Sequence, residues 1–252
     1  MRIGILGTGH LAAYLVRGAQ GSGYSFLLSP RGAAIAADLA ERFGCEVAAS
    51  NQEVVDSCQH VLVCLPAATG LDDLRGLRFR AGQSVLSAMA GAGLEDLRAA
   101  VAPAEGFVGM MPGYANAYSA GPSLLHPASD DWREFLSALG PVHQIAAPEE
   151  YQTAAVFGAM SGATVFLIRH LAEWYARHGL DPATARQLVA ETLRGNAEVF
   201  LQSPEGMEAI SAGVTTPGGI TEQLVGHLHR TGALTAWDDA LDAVLARMYP
   251  GR

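Results

Sequence analysis

The chain has 252 residues, of which half are hydrophobic and 16% are charged, and this composition predicts an ordered globular protein with one large or two modest domains. Its formal net charge of −9 argues against nucleic acid as a partner. All 16 basic residues are arginine, which excludes Schiff-base catalysis and a P-loop because both depend on a lysine amine.

The same features predict a cytoplasmic protein with no membrane partner and no metal. No apolar run looks long enough to span a bilayer, and residues 1–7 lack the features of a signal peptide. The three cysteines show neither a C-x-x-C pair nor zinc spacing, so we expect buried free thiols and no metal site.

The N-terminal elements are typical of a nucleotide site. An apolar strand over residues 2–6 is followed by the sequence GTGHLA at 7–12 and then by a helical pattern. In this arrangement Gly7 allows a tight turn, Gly9 lets a pyrophosphate approach the backbone, and Ala12 permits close packing of helix on strand. The predicted cofactor contacts in this loop are Gly7, Gly9, His10 and Leu11.

The end of the next strand, at 24–28, indicates which nucleotide is bound. An NAD enzyme carries Asp or Glu there for the ribose hydroxyls, whereas this chain has Ser29, Pro30 and Arg31. A hydroxyl and a guanidinium suit a 2′-phosphate, so Ser29 and Arg31 favour NADP(H) over NAD(H). The alternative is that Arg31 only caps a solvated turn.

Further strand and helix patterns alternate up to about residue 148. Ser50 and Glu53 form a capping box, and apolar strand patterns follow at 60–65, 84–88, 107–111 and 142–145. This alternation predicts a doubly wound parallel sheet over residues 1–148, with ligands at the carboxyl ends of its strands. The predicted cofactor contacts at those ends are Leu65, Pro66, Ala90 and Gly91.

The chain from 149 to 252 is predicted to be all helical. One long apolar helix candidate covers 149–178, and four shorter ones follow it. Because this helical half is so apolar, we expect it to bury part of its surface against a second subunit, which predicts a homodimer or larger homo-oligomer. Between two of the helices lies a hydroxyl-rich turn, VTTPGGIT at 214–221, whose glycines and backbone amides suit a small carboxylate. The alternative for this turn is an ordinary capped helix start.

Four motifs in this order resemble the pyrroline-5-carboxylate reductase family over nearly the full length: the loop at 7–12, VLSAMAG at 85–91, Met111-Pro112, and the turn at 214–221. The resemblance implies a Rossmann domain followed by an all-helical dimerisation domain. It implies reduction of a small cyclic imine acid to proline with NAD(P)H, in a site between the nucleotide domain of one subunit and the helical domain of another.

Carried over by position, the resemblance gives roles to the turn. Thr216 and the backbone of Gly218 and Gly219 would hold the substrate carboxylate, and Thr221 would lie near the imine nitrogen. We take Thr216 and Thr221 as the candidate catalytic residues. A protonated imine is already electrophilic, so hydride delivery needs positioning more than a strong acid, which agrees with the missing lysine.

The sequence departs from the family's motifs where the substrate should bind. The family's V-K-P becomes CLP at 64–66, its M-P-N-T-P becomes MPGYA at 111–115, and its S-G-S-G-P-A becomes GAMSGA at 158–163. We expect Tyr114, Asn116 and Met160 to shape the pocket. These changes leave open a different imine or keto acid as substrate, or a non-catalytic NADPH sensor. A deazaflavin-linked NADP oxidoreductase shares the nucleotide domain, but the proline–glycine–glycine turn argues against it.

Overall fold

The computed structural model describes residues 1–250, which form two compact units. Unit 1 contains Met1–Gly158 and the segment from Leu245 onward, and unit 2 is Ala159–Val244. The chain therefore leaves unit 1 once and returns to it at the C-terminus. The predicted domain division at residue 148 stays a prediction.

Unit 1 is built on one eight-stranded sheet in the order β3-β2-β1-β4-β5-β6-β7-β8. The strands predicted at 2–6, 24–28, 60–65, 84–88, 107–111 and 142–145 are confirmed as β1, β2, β4, β5, β6 and β8. Two short strands, β3 and β7, were missed. The bounds are β1 Arg2–Leu6, β2 Ser25–Leu28, β3 Glu46–Val47, β4 His60–Val63, β5 Ser84–Ser87, β6 Glu105–Met110, β7 Ser123–His126 and β8 Val142–Gln144.

The prediction of a wholly parallel sheet was wrong at one edge. β1 to β6 are parallel, but β7 pairs antiparallel with β6, and β8 pairs parallel with β7. A parallel return needs a crossover, usually a helix that packs on the sheet. The link from β6 to β7 contains only the short 3-10 helix Ala115–Tyr118, so the chain turns back beside β6 instead.

Seven helices cover both faces of this sheet, which confirms the doubly wound prediction. One apolar cluster includes Val54, Leu97 and Tyr151, and the cluster on the other face includes Leu15 and Phe135. The helix predicted at 94–101 is found with those bounds. The helices are α1 His10–Gly18, α2 Ala33–Phe43, α3 Asn51–Ser57, α4 Gly70–Arg75, α5 Leu94–Val101, α6 Asp130–Ser137 and α7 Pro148–Ala155.

Five helices follow, and most of their length forms unit 2: α8 Phe157–Arg177, α9 Pro182–Gln202, α10 Met207–Gly213, α11 Ile220–Arg230 and α12 Ala233–Met248. The single helix predicted over 149–178 is interrupted at Val156, which ends α7. Gly158 then lets α8 start against the sheet, because a Cβ there would lie 2.8 Å from the sulfur of Met110.

Unit 2 has very little core of its own. Of its described residues, only Ala185, Val189 and Ile210 are buried, whereas Phe166 is 71% exposed and Leu201 is 78% exposed. An apolar surface of this extent is normally covered by a partner.

The apolar segment Pro148–Arg177 corrects one expectation. By length and composition it could cross a membrane, with 11% of its most apolar window buried. The prediction that no run is long enough to span a bilayer was therefore wrong. Its first part, α7, is a core element of unit 1 through Tyr151 and Ala155, while α8 buries none of its side chains.

Candidate functional site

The two glycines of the N-terminal loop have different surroundings. Gly7 has φ +94°, and a Cβ there would lie 2.6 Å from the carbonyl oxygen of Cys64. A Cβ on Gly9 would meet no heavy atom within 4 Å. The first glycine therefore makes a turn that no other residue fits, and the second leaves an open approach to the backbone.

The helix that follows is prepared for an anion. Gly9 is the N-cap of α1, no side chain caps this helix, and its first turn carries no acidic residue. The first backbone N–H groups of a helix lack partners within the helix, and its dipole favours negative charge there. A pyrophosphate fits this opening without any further group.

Ser29 fixes the nucleotide loop through two hydrogen bonds. Its hydroxyl oxygen accepts a hydrogen bond from Gly7 N at 2.9 Å, and Thr8 Oγ1 donates to the Ser29 carbonyl oxygen at 2.8 Å. Ser29 is fully buried. The predicted direct contact of Ser29 with the cofactor is therefore not supported by this geometry, and its role is to fix the turn. Sequence reasoning missed Thr8, although its hydroxyl at the second loop position was a readable signal.

Arg31 is exposed at the position where the 2′-phosphate was predicted. Its side chain is 70% exposed, and its Nη1 lies 3.4 Å from Oδ2 of Asp73 in α4. Just beyond it, Gly32 is the N-cap of α2, again with no side-chain cap and no acidic residue in the first turn. The guanidinium and the uncapped helix start together create a region of positive potential, where the Asp73 carboxylate would compete with a bound phosphate for Arg31.

The carboxyl end of β4 is a tight apolar turn. The Pro66 carbonyl oxygen accepts from Thr69 N at 3.2 Å and from Gly70 N at 2.8 Å, which starts α4, while Leu65 is 5% exposed. Burial raises the pKa of the Cys64 thiol to about 12, so this side chain is neutral. No charged side chain therefore lies on the chain at 64–66.

The end of β5 turns sharply through the predicted nicotinamide contacts. Ser87 Oγ accepts from Met89 N at 3.2 Å, and Gly91 has φ +78°. A Cβ on Gly91 would lie 2.9 Å from the carbonyl oxygen of Met248, because the returning C-terminal segment packs there. Ala90 is exposed.

The loop after β6 leans on α1. Tyr114 is 55% exposed and packs against Tyr14 with 4.8 Å between ring centroids and a tilt of 33°, and Arg17 lies 4.6 Å above the ring of Tyr118. A hydrogen bond with Tyr118 raises the pKa of Tyr114, so its phenol stays protonated. The loop also abuts the nucleotide motif, since a Cβ on Gly113 would lie 3.1 Å from Leu11.

The Asn116 side chain makes its hydrogen bonds within the protein, where they fix the loop after β6. It is fully buried, its Oδ1 accepts from Gly113 N at 3.0 Å, and its Nδ2 donates to the carbonyl oxygens of Gly121 at 2.8 Å and Leu139 at 3.2 Å. Both polar atoms are therefore engaged, and the predicted contact of Asn116 with substrate is not supported by this geometry.

In unit 2, the threonine turn joins α10 to α11. Gly218 has φ +72°, and Gly219 N donates to the Thr216 carbonyl oxygen at 2.8 Å. Gly218 N donates to Oε2 of Glu222 at 2.7 Å. The two backbone N–H groups predicted to hold a carboxylate are thus bonded within the turn itself. Glu222 lies in the first turn of α11, and this bond was not predicted from the sequence.

The hydroxyl groups of Thr216 and Thr221 have no hydrogen-bond partner among the described residues, whereas Thr215 Oγ1 donates to the Ser211 carbonyl oxygen at 2.9 Å. Thr216 is exposed and Thr221 is half-buried. Met160 lies in the same unit on α8 and is 44% exposed. The turn therefore presents two free hydroxyls. Within residues 1–250, no group of three His, Cys, Asp or Glu side chains could hold a metal ion.

Two family models match the chain, one in each half. Residues 151–249 match pyrroline-5-carboxylate reductase dimerisation, and residues 2–91 match NADP oxidoreductase coenzyme F420-dependent. Pyrroline-5-carboxylate reductase 3 of Xenopus laevis is 25% identical over 97% of this chain and 94% of its own length. The chain therefore resembles pyrroline-5-carboxylate reductases over nearly its full length, at low sequence identity.

Solved structures agree on the fold. Pyrroline-5-carboxylate reductase from Streptococcus pyogenes has a TM-score of 0.86 at 21% identity, with 98% of each chain covered. The pyrroline carboxylate reductase of Plasmodium falciparum, solved with NADP bound, has a TM-score of 0.86 at 17% identity, again with 98% of each chain covered. The predicted Rossmann domain with a helical dimerisation domain is confirmed, as is an oxidoreductase that uses NAD(P)H.

The pyrroline-5-carboxylate reductase family resemblance is carried by the whole chain, but the deazaflavin-linked alternative is matched over the nucleotide half alone. That half is the part which the two kinds of enzyme share. The helical half, which contains the threonine turn and matches pyrroline-5-carboxylate reductase dimerisation, favours the reductase over the deazaflavin-linked enzyme.

Proposed function

We propose that the protein is an NADPH-dependent reductase of the C=N bond in a small cyclic imine acid, with pyrroline-5-carboxylate as the first candidate and proline as its product. The observation that carries the proposal is the pair of unpartnered hydroxyls, Thr216 and Thr221, on a glycine turn within the part of the chain matched to pyrroline-5-carboxylate reductase dimerisation.

A nicotinamide cofactor would supply the hydride when bound, and the protein's own residues would position the imine. Thr221 orients the imine nitrogen, and Thr216 takes part in holding the substrate. Neither hydroxyl gains or loses a proton, and the reaction does not need one to do so. The carbon of the protonated imine accepts the hydride, and the nitrogen becomes a neutral amine that solvent protonates. The absence of lysine is no obstacle to this reaction.

NADP(H) is proposed as the preferred nucleotide. Three features support it: the exposed Arg31 guanidinium, the uncapped start of α2 beside it, and the absence of an acidic residue at the end of β2. The uncapped start of α1 and the open side of Gly9 would take the pyrophosphate. Leu65, Pro66, Ala90 and Gly91 would lie along the nicotinamide half.

Glu222 sets a condition on the substrate. A substrate carboxylate on the turn competes with the Glu222 carboxylate for Gly218 N, and the two negative charges repel. An imine acid therefore binds only when Glu222 swings away. This bond favours a second candidate function, the reduction of a small cyclic imine without a carboxylate.

We infer that the working form is a cytoplasmic homodimer or larger homo-oligomer. The exposed apolar residues of α8 and α9, such as Phe166 and Leu201, would be covered by a second copy, which also accounts for the apolar character of Pro148–Arg177 without a membrane. The net charge of −9 gives no support to a nucleic-acid partner.

The test is NADPH oxidation by the purified protein with pyrroline-5-carboxylate, its six-membered homologue, and 1-pyrroline, which has the same ring without the carboxylate. Turnover of pyrroline-5-carboxylate above that of 1-pyrroline supports the first function, and the reverse order supports the second. NADPH binding without turnover of any imine would contradict both and leave the NADPH sensor.

A further inference from the structure

A cavity of about 200 Å³ lies inside unit 1, apart from the nucleotide loop. It is partly open to solvent and is lined by the start of α5, Val108 of β6, His126 of β7, α7 and Tyr249. None of the predicted cofactor residues lines it, and its walls are mainly apolar. Apolar cavities of about 150 Å³ bind a benzene ring, so this volume suits a molecule of one ring.

One buried polar atom beside this cavity has no partner among the described residues. His126 lines the wall and is 4% exposed. Its Nδ1 lies 2.8 Å from the carbonyl oxygen of Ile145. Because a carbonyl oxygen only accepts, Nδ1 carries the proton, and Nε2 of the neutral ring is an acceptor. That Nε2 has no hydrogen-bond partner in the described chain. Buried acceptors are nearly always satisfied, so a donor is missing here.

The other polar groups around the cavity exclude an anion. Tyr151 is 5% exposed and stacks on His126 with 5.5 Å between ring centroids at an interplanar angle of 27°. Burial raises the pKa of Tyr151 and of Tyr249, so both phenols stay neutral. Glu95 adds a carboxylate and Gln152 a neutral amide, and no arginine lines the cavity. The wall therefore offers acceptors and neutral hydroxyls to its occupant.

We propose that this cavity is a second ligand site, which binds a small ring molecule, neutral or cationic, through one hydroxyl or amine donor to His126 Nε2. The ring fills the apolar space beside Val108 and Leu94, and the donor satisfies the imidazole. The site does not depend on the proposed reaction, because it contains none of the residues given to the cofactor or the imine.

The experiment uses phenol as the probe, with toluene as the matched ring that lacks a donor. Binding to the full-length protein is measured by calorimetry, and the ¹⁵N shift of His126 Nε2 reports a hydrogen bond. We expect saturable binding of phenol, at least tenfold tighter than toluene, with a shift at Nε2 and not at Nδ1.

Three variants make the result decisive. His126→Phe keeps a ring but removes the acceptor, so phenol should bind no better than toluene, while Tyr151→Phe removes a hydroxyl and should retain most of the preference for phenol. Leu94→Trp fills the cavity and should abolish both ligands even if the His126 variant does not fold. NADPH binding is the control for folding. The proposal is overturned if phenol does not saturate, if water alone fills the cavity, or if His126→Phe leaves the preference for phenol intact.

Discussion

Replacing Arg31 by alanine should separate the two nicotinamide cofactors. The guanidinium is 70% exposed and makes one 3.4 Å contact, with Asp73, so it is free to meet a phosphate. Two unit charges 4 Å apart in water interact by about 1 kcal/mol, and a dianionic 2′-phosphate doubles this to about 2 kcal/mol. After the loss of the Asp73 contact and solvent screening, about 1 kcal/mol remains, which is a roughly 5-fold weaker NADPH affinity.

The measurement is the dissociation constant of NADPH and of NADH for wild type and variant at one fixed ionic strength. NADH lacks the 2′-phosphate, so its affinity should hardly change. Asp73→Asn is the matched variant: it removes the competing carboxylate and should tighten NADPH while leaving NADH alone. Added salt should shrink the difference between the cofactors. Equal losses of NADPH and NADH in Arg31→Ala would refute the phosphate role.

Three further predictions concern unit 2. Glu222→Ala frees Gly218 N and removes a negative charge, so KM for pyrroline-5-carboxylate should fall about 2- to 10-fold, whereas KM for 1-pyrroline should not change. The control is Glu208→Ala in the first turn of α10. An equal effect on both imines would speak against competition between Glu222 and the substrate carboxylate. Thr221→Ala should lower kcat at least about tenfold with NADPH affinity near that of wild type, and Thr221→Ser should restore most of it; unchanged turnover removes this hydroxyl from the reaction. Phe166→Glu places a charge on an exposed apolar face of α8, so light scattering should find monomers of this variant at micromolar concentration. The control variant Arg177→Gln, at the end of the same helix, should remain dimeric. If the wild-type protein is itself a monomer, the proposed subunit interface is wrong.

The sequence predicted those parts of the protein that local rules write into a few neighbouring residues. The nucleotide loop at 7–12 spans six residues, and the capping box in which Glu53 N donates to Ser50 Oγ at 3.1 Å spans four. The bond between Glu222 and Gly218 is also local, and its four-residue spacing was a signal that went unused.

Only the tertiary structure decided which polar residues are free. Ser29 bonds Gly7 across 22 positions, and Asn116 bonds Leu139 across 23, so both side chains are used up inside the fold. From the sequence alone they look as available as Arg31. The reversal of β7 has the same origin, because its direction depends on whether a crossover helix finds room on the sheet.

The sequence by itself therefore determined the class of domain, the nucleotide loop and the helix starts, since periodicity and capping act over one or two turns of chain. The structure decided the strand directions at the sheet edge, the buried roles of Ser29 and Asn116, and the cavity at His126. These depend on residues brought together from distant parts of the chain, and their pairing is fixed only when the core packs.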